Sequence, residues 1–252
     1  MIRGIYTSAS GMTAELFRQQ VTTNNMANCT SPGFKRDLAV IQSFPEMELY
    51  ETRTMAIPQK PVGRLSTGVA VGGAYLDSSS GPLQPTGRDL DIALSAPNTY
   101  IAASRGGSTV YLRTASLRVD SSGYLITAGG DMVQSSSMSP IYVGQGETPW
   151  IDESGHVHSA SGLRGSLRLV QFPNPRGLQK VEGGAVVQTD SSGSPYPADV
   201  KVLVGYLEAS NASPVKEMAE LISIMRAYEA NQRAIHAQDE TLDKAVNEIG
   251  RV

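Results

Sequence analysis

The distribution of proline and glycine constrains this chain more than any other feature of its sequence. All 14 prolines and most of the 25 glycines lie between Pro32 and Pro214. Both residue types interrupt helices, proline by removing an N–H donor and glycine by its conformational freedom. The pattern therefore predicts an α+β fold, in which two helical ends flank a middle rich in strands and turns.

The N-terminal end predicts a helix whose apolar residues follow a seven-residue repeat. Spacings of three and four place these residues on one narrow stripe, as in the seam of a coiled coil. The stripe consists of Ile2, Ile5, Ala9, Met12 and Leu16. We expect the helix to end between Asn28 and Pro32, because a proline disfavours helical geometry in the residue before it.

The C-terminal end predicts a longer helix with the same repeat. Ser213 is suited to the N-cap and Pro214 to the first helical position. A helix from there to Gly250 is roughly 50 Å long at about 1.5 Å per residue. Its apolar stripe, interrupted by Gln232 and Asp239, comprises Met218, Leu221, Met225, Tyr228, Ile235, Leu242, Val246 and Ile249.

The two stripes predict a coiled-coil-like assembly domain. Narrow apolar stripes on a helix of this length are typical of helices completed by other helices. The alternative is an intramolecular helical hairpin that covers the β domain. Four segments are expected: an N-terminal helix at 1–36, an extended connector at 37–80, a β-rich central domain at 81–205 and a C-terminal helix at 206–252.

The central segment predicts β structure. Residues 89–94 alternate apolar and polar side chains, as do parts of 111–119 and 167–172. Three turns of similar sequence, at 120–123, 152–155 and 190–193, begin with aspartate and end with glycine. Aspartate can accept hydrogen bonds from the turn and glycine can adopt a positive φ, so each is expected to close a hairpin.

The composition argues against several functional classes. The formal net charge of −3 lacks the basic excess of a nucleic-acid-binding protein, and one cysteine excludes an internal disulfide. No run of about 18 apolar residues predicts a membrane-spanning helix. The N-terminus lacks the apolar block of a cleaved signal peptide. Phosphate-binding and dinucleotide-binding glycine motifs are missing as well, so no cofactor and no small-molecule substrate are expected.

Few side chains suggest chemistry. His156 and His158 would share a strand face, but a third ligand for a metal is not evident. Asp89 and Asp91 could imitate a catalytic carboxylate pair, although solvated edge residues are the simpler interpretation. Cys29 lies in a turn without a histidine nearby in sequence. We therefore expect no catalytic site and no metal site.

Short motifs at both ends resemble those of bacterial flagellar basal-body rod and hook proteins. The N-terminal motifs are SGM at 10–12, RQQVTTNNMAN at 18–28 and TSPGFKR at 30–36. The C-terminal motifs are GYLEASN at 205–211, EM at 217–218 and RAYEAN at 226–231. GPLQPTGRDLD at 81–91 and YLRT at 111–114 lie between them.

This resemblance implies a structural axial subunit of the flagellar rod. Terminal helices form an inner tube in that family, and the β-rich middle forms an outer layer. The implied partners are further copies of the chain, other rod and hook subunits and the flagellar export apparatus. The implied location is the basal body outside the cytoplasmic membrane, reached without a cleaved signal peptide, where the tube would transmit motor torque to the hook.

The apolar stripes then become the expected assembly interface, and a turn and connector motif follows the first helix. Asn24, Asn25 and Asn28 would fix the turn through side-chain hydrogen bonds to the backbone. Gly33 would permit the turn, and Phe34 would anchor the connector against neighbouring subunits. Two alternatives of other classes stay open: a secreted β-rich enzyme acting on polysaccharide, and a surface adhesin.

Overall fold

The computed structural model describes residues 2–50 and 61–249. Both expected helices are present: α1 spans Ile2–Ala27, and α2 spans Pro214–Lys244 before a π-helical turn at Ala245–Ile249. Proline suits the first position of α2, where its missing N–H would have had no helical partner. With strands between the two helices, the predicted mixed α+β fold is confirmed.

Short strands make up much of the chain between the helices. In chain order they are β1 (Asp37–Ser43), β2 (Met47–Tyr50), β3 (Pro61–Leu65), β4 (Val69–Leu76), β5 (Leu83–Pro85), β6 (Asp91–Leu94), β7 (Thr99–Arg105), β8 (Ser108–Leu112), β9 (Thr114–Val119), β10 (Leu125–Thr127), β11 (Met132–Val133), β12 (Trp150–Ile151), β13 (His156–Ser159), β14 (Gly162–Ser166), β15 (Leu169–Gln171), β16 (Gln179–Lys180), β17 (Val186–Val187), β18 (Tyr196–Pro197), β19 (Val202–Val204) and β20 (Tyr206–Glu208).

The chain divides into two compact units. The helical unit contains the described residues of 1–24, 38–74 and 215–252, and the β unit contains 25–37 and 75–214. The described residues of 38–74 lie in the segment expected as an extended connector, and they include paired strands that belong with the helices. Residues 206–208 form β20, so α2 begins later than residue 206.

Two antiparallel helices organise the helical unit. Gly4 lies against Gln238 and Gly11 against Asn231, where an added Cβ would come within 2.2 Å and 3.0 Å of the respective side-chain nitrogens. Both pairs are seven residues apart along their helices, so glycine allows close approach at successive heptads. β1 pairs with β4, and β2 pairs with β3. The Ser10 hydroxyl accepts a hydrogen bond from the Val69 N–H at 3.2 Å, which attaches β4 to α1.

The β unit is built around one large sheet. Its strand order is β16-β17-β8-β7-β11-β10-β9-β6-β19, with β15 pairing with both β7 and β18. A three-stranded sheet, β12-β13-β14, and the pair β5-β20 complete the unit. The main apolar core includes Ile92, Leu94, Ile101, Leu117, Leu125, Val133, Ile141 and Val157.

Two of the three predicted hairpin turns are confirmed. The Asp120 carboxylate accepts hydrogen bonds from the N–H groups of Ser122 and Tyr124, and β9 pairs with β10 across the turn. Asp152 acts in the same way between β12 and β13. The third prediction is wrong, because residues 190–192 form a 3-10 turn whose flanking strands, β17 and β18, pair elsewhere.

Candidate functional site

A buried carboxylate joins the segment before α2 to distant parts of the β unit. The side chain of Glu208, at the end of β20, is only 1% exposed. Its Oε1 accepts hydrogen bonds from Lys35 Nζ and from the Gly81 N–H, the latter at 2.8 Å. Its Oε2 accepts from Arg113 Nε at 2.6 Å. Lys35, Arg113 and Glu208 together form what we call the charge cluster.

Arg113 fixes the cluster to the main sheet. Its Nη1 donates to the carbonyl oxygens of Ala96 and Thr99, at 2.6 and 2.8 Å, and its Nη2 donates to that of Leu94 at 3.0 Å. A guanidinium has five fixed donors, and a buried one requires acceptors around it. The carbonyl groups and Glu208 supply these acceptors, so the cation finds its partners within its own chain.

Lys35 brings the segment that follows α1 into the same cluster. Its ammonium group also donates to the carbonyl oxygen of Ser79 at 2.6 Å, and its side chain is 5% exposed. Burial lowers the pKa of Lys35 below its ordinary value of 10.5, although the hydrogen bond and charge of Glu208 act in the opposite direction. The cluster therefore connects the chain just after α1 with the chain just before α2.

Amide side chains support this connection on either side. Asn25 donates to the Asp37 carbonyl and accepts from the Asp37 N–H, both at 2.9 Å, which closes the loop between α1 and β1. Asn211 accepts from the Arg36 N–H at 2.7 Å and donates to the Asp77 carbonyl at 3.0 Å. Each pairing replaces backbone partners that an irregular segment cannot supply itself.

The other predicted residues of the turn and connector lie in the last turns of α1 and in the loop that follows it. Asn28 accepts a hydrogen bond from the Ser31 N–H at 3.1 Å through its carbonyl. Gly33 has a φ of +70° and donates its N–H to the Glu208 carbonyl at 2.7 Å. Asn24 lies on an exposed part of α1. Phe34, expected against a neighbouring subunit, is buried in its own chain, where the ammonium of Lys180 lies 4.1 Å from its ring centroid.

The predicted stripe of α2 separates into two columns on the helix. Leu221, Tyr228, Ile235 and Leu242 are half-buried, whereas Met218, Met225 and Val246 are exposed. The column against α1 contains Asn231 and Gln238 and continues through Ile224 and Glu217, which are both buried. The seven-residue repeat is therefore present, but the column that contacts α1 lies one residue before the column that contains Met218 and Met225.

An apolar stripe on α2 is left exposed. Val215, Met218, Ile222 and Met225 follow spacings of three, four and three, and their exposed fractions lie between 48% and 77%. We call these four residues the outer stripe. Met218 and Met225 belong to the predicted interface, and the seven-residue repeat passed over Val215 and Ile222. Val215 and Ile222 lie three or four residues from the two methionines, and this helical spacing could have identified them from the sequence as part of the same face.

The predicted residues of α1 are distributed differently. Ile5 and Met12 are half-buried, and Leu16 is exposed. The most buried apolar residue of α1 is Ala14, which the predicted stripe does not include. Ile2 and Ile249 lie in helical segments, but their side chains fall outside the described part of the structure.

The two candidate histidines lie beside one aspartate. His156 Nδ1 and His158 Nε2 both contact Asp152 Oδ2, at 3.0 and 3.4 Å, and Trp150 stacks on His158. No three His, Cys, Asp or Glu side chains within residues 2–50 and 61–249 are placed to hold a metal ion. In the same ranges, no helix combines the length and apolarity needed to cross a membrane.

The expectation of two solvated carboxylates in the central domain is wrong for one of them. Asp89 is exposed, but Asp91 is only 1% exposed. Asp91 opens β6, where its N–H donates to the Arg88 carbonyl and its carbonyl accepts from the Gly205 N–H. Asp91 is therefore buried at the start of β6 while Asp89 is exposed, so the two carboxylates do not share one environment.

Comparison with known proteins identifies the same segments. A family described as "Flagella basal body rod protein" matches residues 5–35, which include most of α1 and Lys35. A family described as "Flagellar basal body rod FlgEFG protein C-terminal" matches residues 203–248, which include Glu208 and α2. The matched segments therefore contain both helices and two of the three members of the charge cluster.

Full-length similarities extend through the β unit. The flagellar basal-body rod protein FlgG of Agrobacterium fabrum is 30% identical, with 95% of this chain and 96% of the relative aligned. FlgG of Buchnera aphidicola subsp. Schizaphis graminum is 28% identical over 97% and 98%. The flagellar hook-basal body complex protein FlhO of Bacillus subtilis is 26% identical over the whole of both chains.

Proposed function

The chain belongs to the family of flagellar basal-body rod proteins, and we propose that it is a structural subunit of the rod that assembles through its terminal helices. Its relatives are flagellar rod proteins, and they align with this chain along nearly their entire length. The protein is accordingly structural and not an enzyme. Its place is the flagellar basal body, among other basal-body components.

The outer stripe carries the proposal of assembly through α2. One face of this helix already contacts α1, yet a second apolar face stays exposed. Four large apolar side chains at helical spacing bury well only against another apolar surface. Further copies of the chain would supply that surface in a coiled-coil-like tube. A contact between different surfaces of successive copies would extend the assembly into a filament instead of closing it as a dimer.

The charge cluster supports the mechanical part of the proposal. It fixes the segments after α1 and before α2 within one rigid β unit, so load carried by either segment reaches the same sheet. Buried, fully hydrogen-bonded charges have one favourable arrangement. A rod that transmits torque to the hook needs such stiffness and no chemistry. We also propose other rod and hook subunits as neighbours, and export by the flagellar apparatus without a cleaved signal.

The alternatives lack comparable support. A polysaccharide-acting enzyme would need two carboxylates in a cleft, and Asp89 and Asp91 do not provide them. An adhesin would not need apolar faces on terminal helices, and the relatives that align with the entire chain are flagellar proteins.

The test replaces the outer stripe without touching the contact between α1 and α2. Met218→Asp with Ile222→Asp is expected to abolish rod assembly and motility in a strain that lacks the native gene. The matched control, Ser223→Asp with Ala230→Asp, places the same charges at exposed positions on another face and should leave motility intact. Both proteins should melt at the temperature of the unmodified chain. Normal motility of the stripe variant would contradict the proposal.

A further inference from the structure

Met138 is an apolar side chain held out into solvent by a rigid turn. Its side chain is 66% exposed, and its φ of 64° is a left-handed value that glycine adopts with less strain. The Met138 N–H donates to the Ser135 carbonyl at 2.8 Å, and the Ser135 N–H donates to the Ser139 carbonyl at 2.8 Å. A strained, exposed methionine in an ordered turn indicates a side chain placed for contact with another molecule.

Hydroxyl groups make the turn rigid. Ser135 Oγ lies 2.8 Å from Ser137 Oγ and 3.0 Å from Ser139 Oγ. Ser136 joins the turn to the neighbouring strand, since its N–H donates to the Ser166 carbonyl at 3.0 Å. The backbone that carries the methionine is therefore ordered before any contact forms, which reduces the entropy lost on binding.

An open pocket of about 170 Å³ lies elsewhere in the β unit. Its apolar wall includes Pro32, Leu112 and Leu207, and its polar wall includes Arg105 and Asp131. An apolar cavity of about 150 Å³ is large enough to hold benzene, so a methionine side chain fits this volume.

The polar wall of the pocket offers no charge to a ligand. Arg105 Nε and Nη2 donate to the two carboxylate oxygens of Asp131, at 2.6 and 2.7 Å. Arg105 Nη1 donates to the Glu182 carbonyl at 2.9 Å. Because this ion pair is satisfied within its own chain, the pocket suits an uncharged, apolar side chain.

The pocket and Met138 lie at opposite ends of β11. Asp131 precedes this strand in the pocket wall, and Ser135 follows it where the turn begins. Extended backbone between these residues spans about 13 Å at about 3.3 Å per residue. Since the turn is also tied to Ser166, Met138 cannot reach the pocket of its own chain. A contact between the two surfaces must join different copies head to tail, and such a contact can be repeated from copy to copy instead of closing as a two-fold dimer.

We propose that Met138 of one copy inserts into the pocket beside Arg105 and Asp131 of the next copy, as a second contact along the assembled rod. This inference rests on the proposed assembly of the chain and adds a contact between β units to that between helices. The occupant is a second copy because the exposed apolar side chain and the neutral pocket are complementary and lie at opposite ends of β11.

The test is a disulfide between copies in basal bodies isolated from cells. In a Cys29→Ser background, Met138→Cys is combined with Ala128→Cys, an exposed residue of the pocket wall. The control combines Met138→Cys with Lys201→Cys, whose native side chain is 76% exposed outside the pocket. Mild oxidation should give about tenfold or more covalent dimer with the pocket pair, because docking holds its thiols at a high effective concentration.

Each outcome decides a different point. Basal bodies that contain the chain but give no excess dimer would overturn the contact and leave the proposed rod function standing. Basal bodies without the unmodified chain would overturn that function and this inference with it. In a second measurement, Met138→Gly should melt no lower than the unmodified chain, since it relieves the strained φ, while fewer rods form. Normal rod numbers with Met138→Gly would overturn the contact.

Discussion

Removing the charge of Glu208 should destabilise the β unit strongly. Glu208→Gln keeps the size of the side chain but leaves the Lys35 and Arg113 cations buried without their anion. The new amide group also places an N–H donor where one of the two cations requires an acceptor. The substitution therefore removes two ion pairs and leaves two buried cations without a counter-charge.

The expected magnitude follows from the burial of all three side chains, which are at most 5% exposed. Loss of one partner from a buried ion pair costs about 3–5 kcal/mol. A protein of this kind has a free energy of unfolding of roughly 5–15 kcal/mol, so a large share of it would be lost. With a urea dependence of about 2 kcal/mol per M, the unfolding midpoint should fall by roughly 2 M.

The single tryptophan supplies the assay. Trp150 lies in β12 of the β unit and stacks on His158 with a centroid distance of 4.1 Å. Its fluorescence in a urea titration therefore reports unfolding of this unit. The control is Glu153→Gln, because Glu153 and Lys201 form an ion pair at 3.5 Å with both side chains more than three-quarters exposed. Such surface pairs contribute little, so the control midpoint should not move.

A second substitution distinguishes unpaired charge from a general packing defect. Adding Lys35→Met to Glu208→Gln removes one of the two stranded cations and should recover part of the lost stability. Equal midpoints for Glu208→Gln and Glu153→Gln would refute the reasoning. The reasoning would also be refuted if the Lys35→Met change lowered the free energy of unfolding of Glu208→Gln further instead of raising it.

Three further predictions concern other parts of the chain. Burial raises the pKa of Tyr100 from 10.0 to about 12, so roughly 3 kcal/mol of stability that is present below pH 10 should be lost as the pH rises through 12. The urea midpoint of Tyr100→Phe should not show this decline. Gly81→Ala would place its Cβ 2.0 Å from a backbone carbonyl oxygen and should lower the melting temperature, whereas Gly63→Ala, with no atom within 4 Å, should not; equal melting temperatures would refute the clash. Ile224→Ala should cost about 2–5 kcal/mol because the side chain is 1% exposed, as measured by loss of helical circular dichroism in urea.

The sequence was sufficient to place the helices because their limits depend on local chemistry. Proline, glycine and capping residues act on the backbone beside them, and α1 and α2 end close to where such residues predict. The same holds for the turns at Asp120 and Asp152, whose carboxylates bond to N–H groups two and four residues later. The 3-10 turn at Asp190 differs because strand pairing elsewhere determines what its flanking segments do.

The seam of α2 could not be chosen from apolar periodicity alone. The column that contacts α1 contains Asn231 and Gln238, which lie over glycines and need no apolar partner. Leu221 and Met225 looked equivalent in the repeat, yet one is half-buried and the other exposed. An aspartate at Leu221 would disturb the helix pair itself, so only exposed positions test assembly separately from folding.

The charge cluster was not recognisable as a unit from the sequence. Glu208 lies 95 residues from Arg113 and 173 residues from Lys35 along the chain. Each of these residues lies within one of the short motifs, but periodicity carries no information about contacts at such separations. Hydrogen bonds of the Glu208 backbone bring them together: its carbonyl accepts from the Gly33 N–H at 2.7 Å, and its N–H donates to the Thr114 hydroxyl at 3.3 Å.

The same separation sets the order of events when the chain folds. The three members of the charge cluster, Lys35, Arg113 and Glu208, must lose their hydration together. Lys35 gains its counter-charge only when the segments near both ends of the β unit come into contact. Local hairpins such as β9-β10 can form long before that moment, while the cluster closes after the long loops are already ordered. Its loss should therefore speed unfolding more than it slows folding. We therefore expect the cluster to form late in folding and to slow the unfolding of the finished unit.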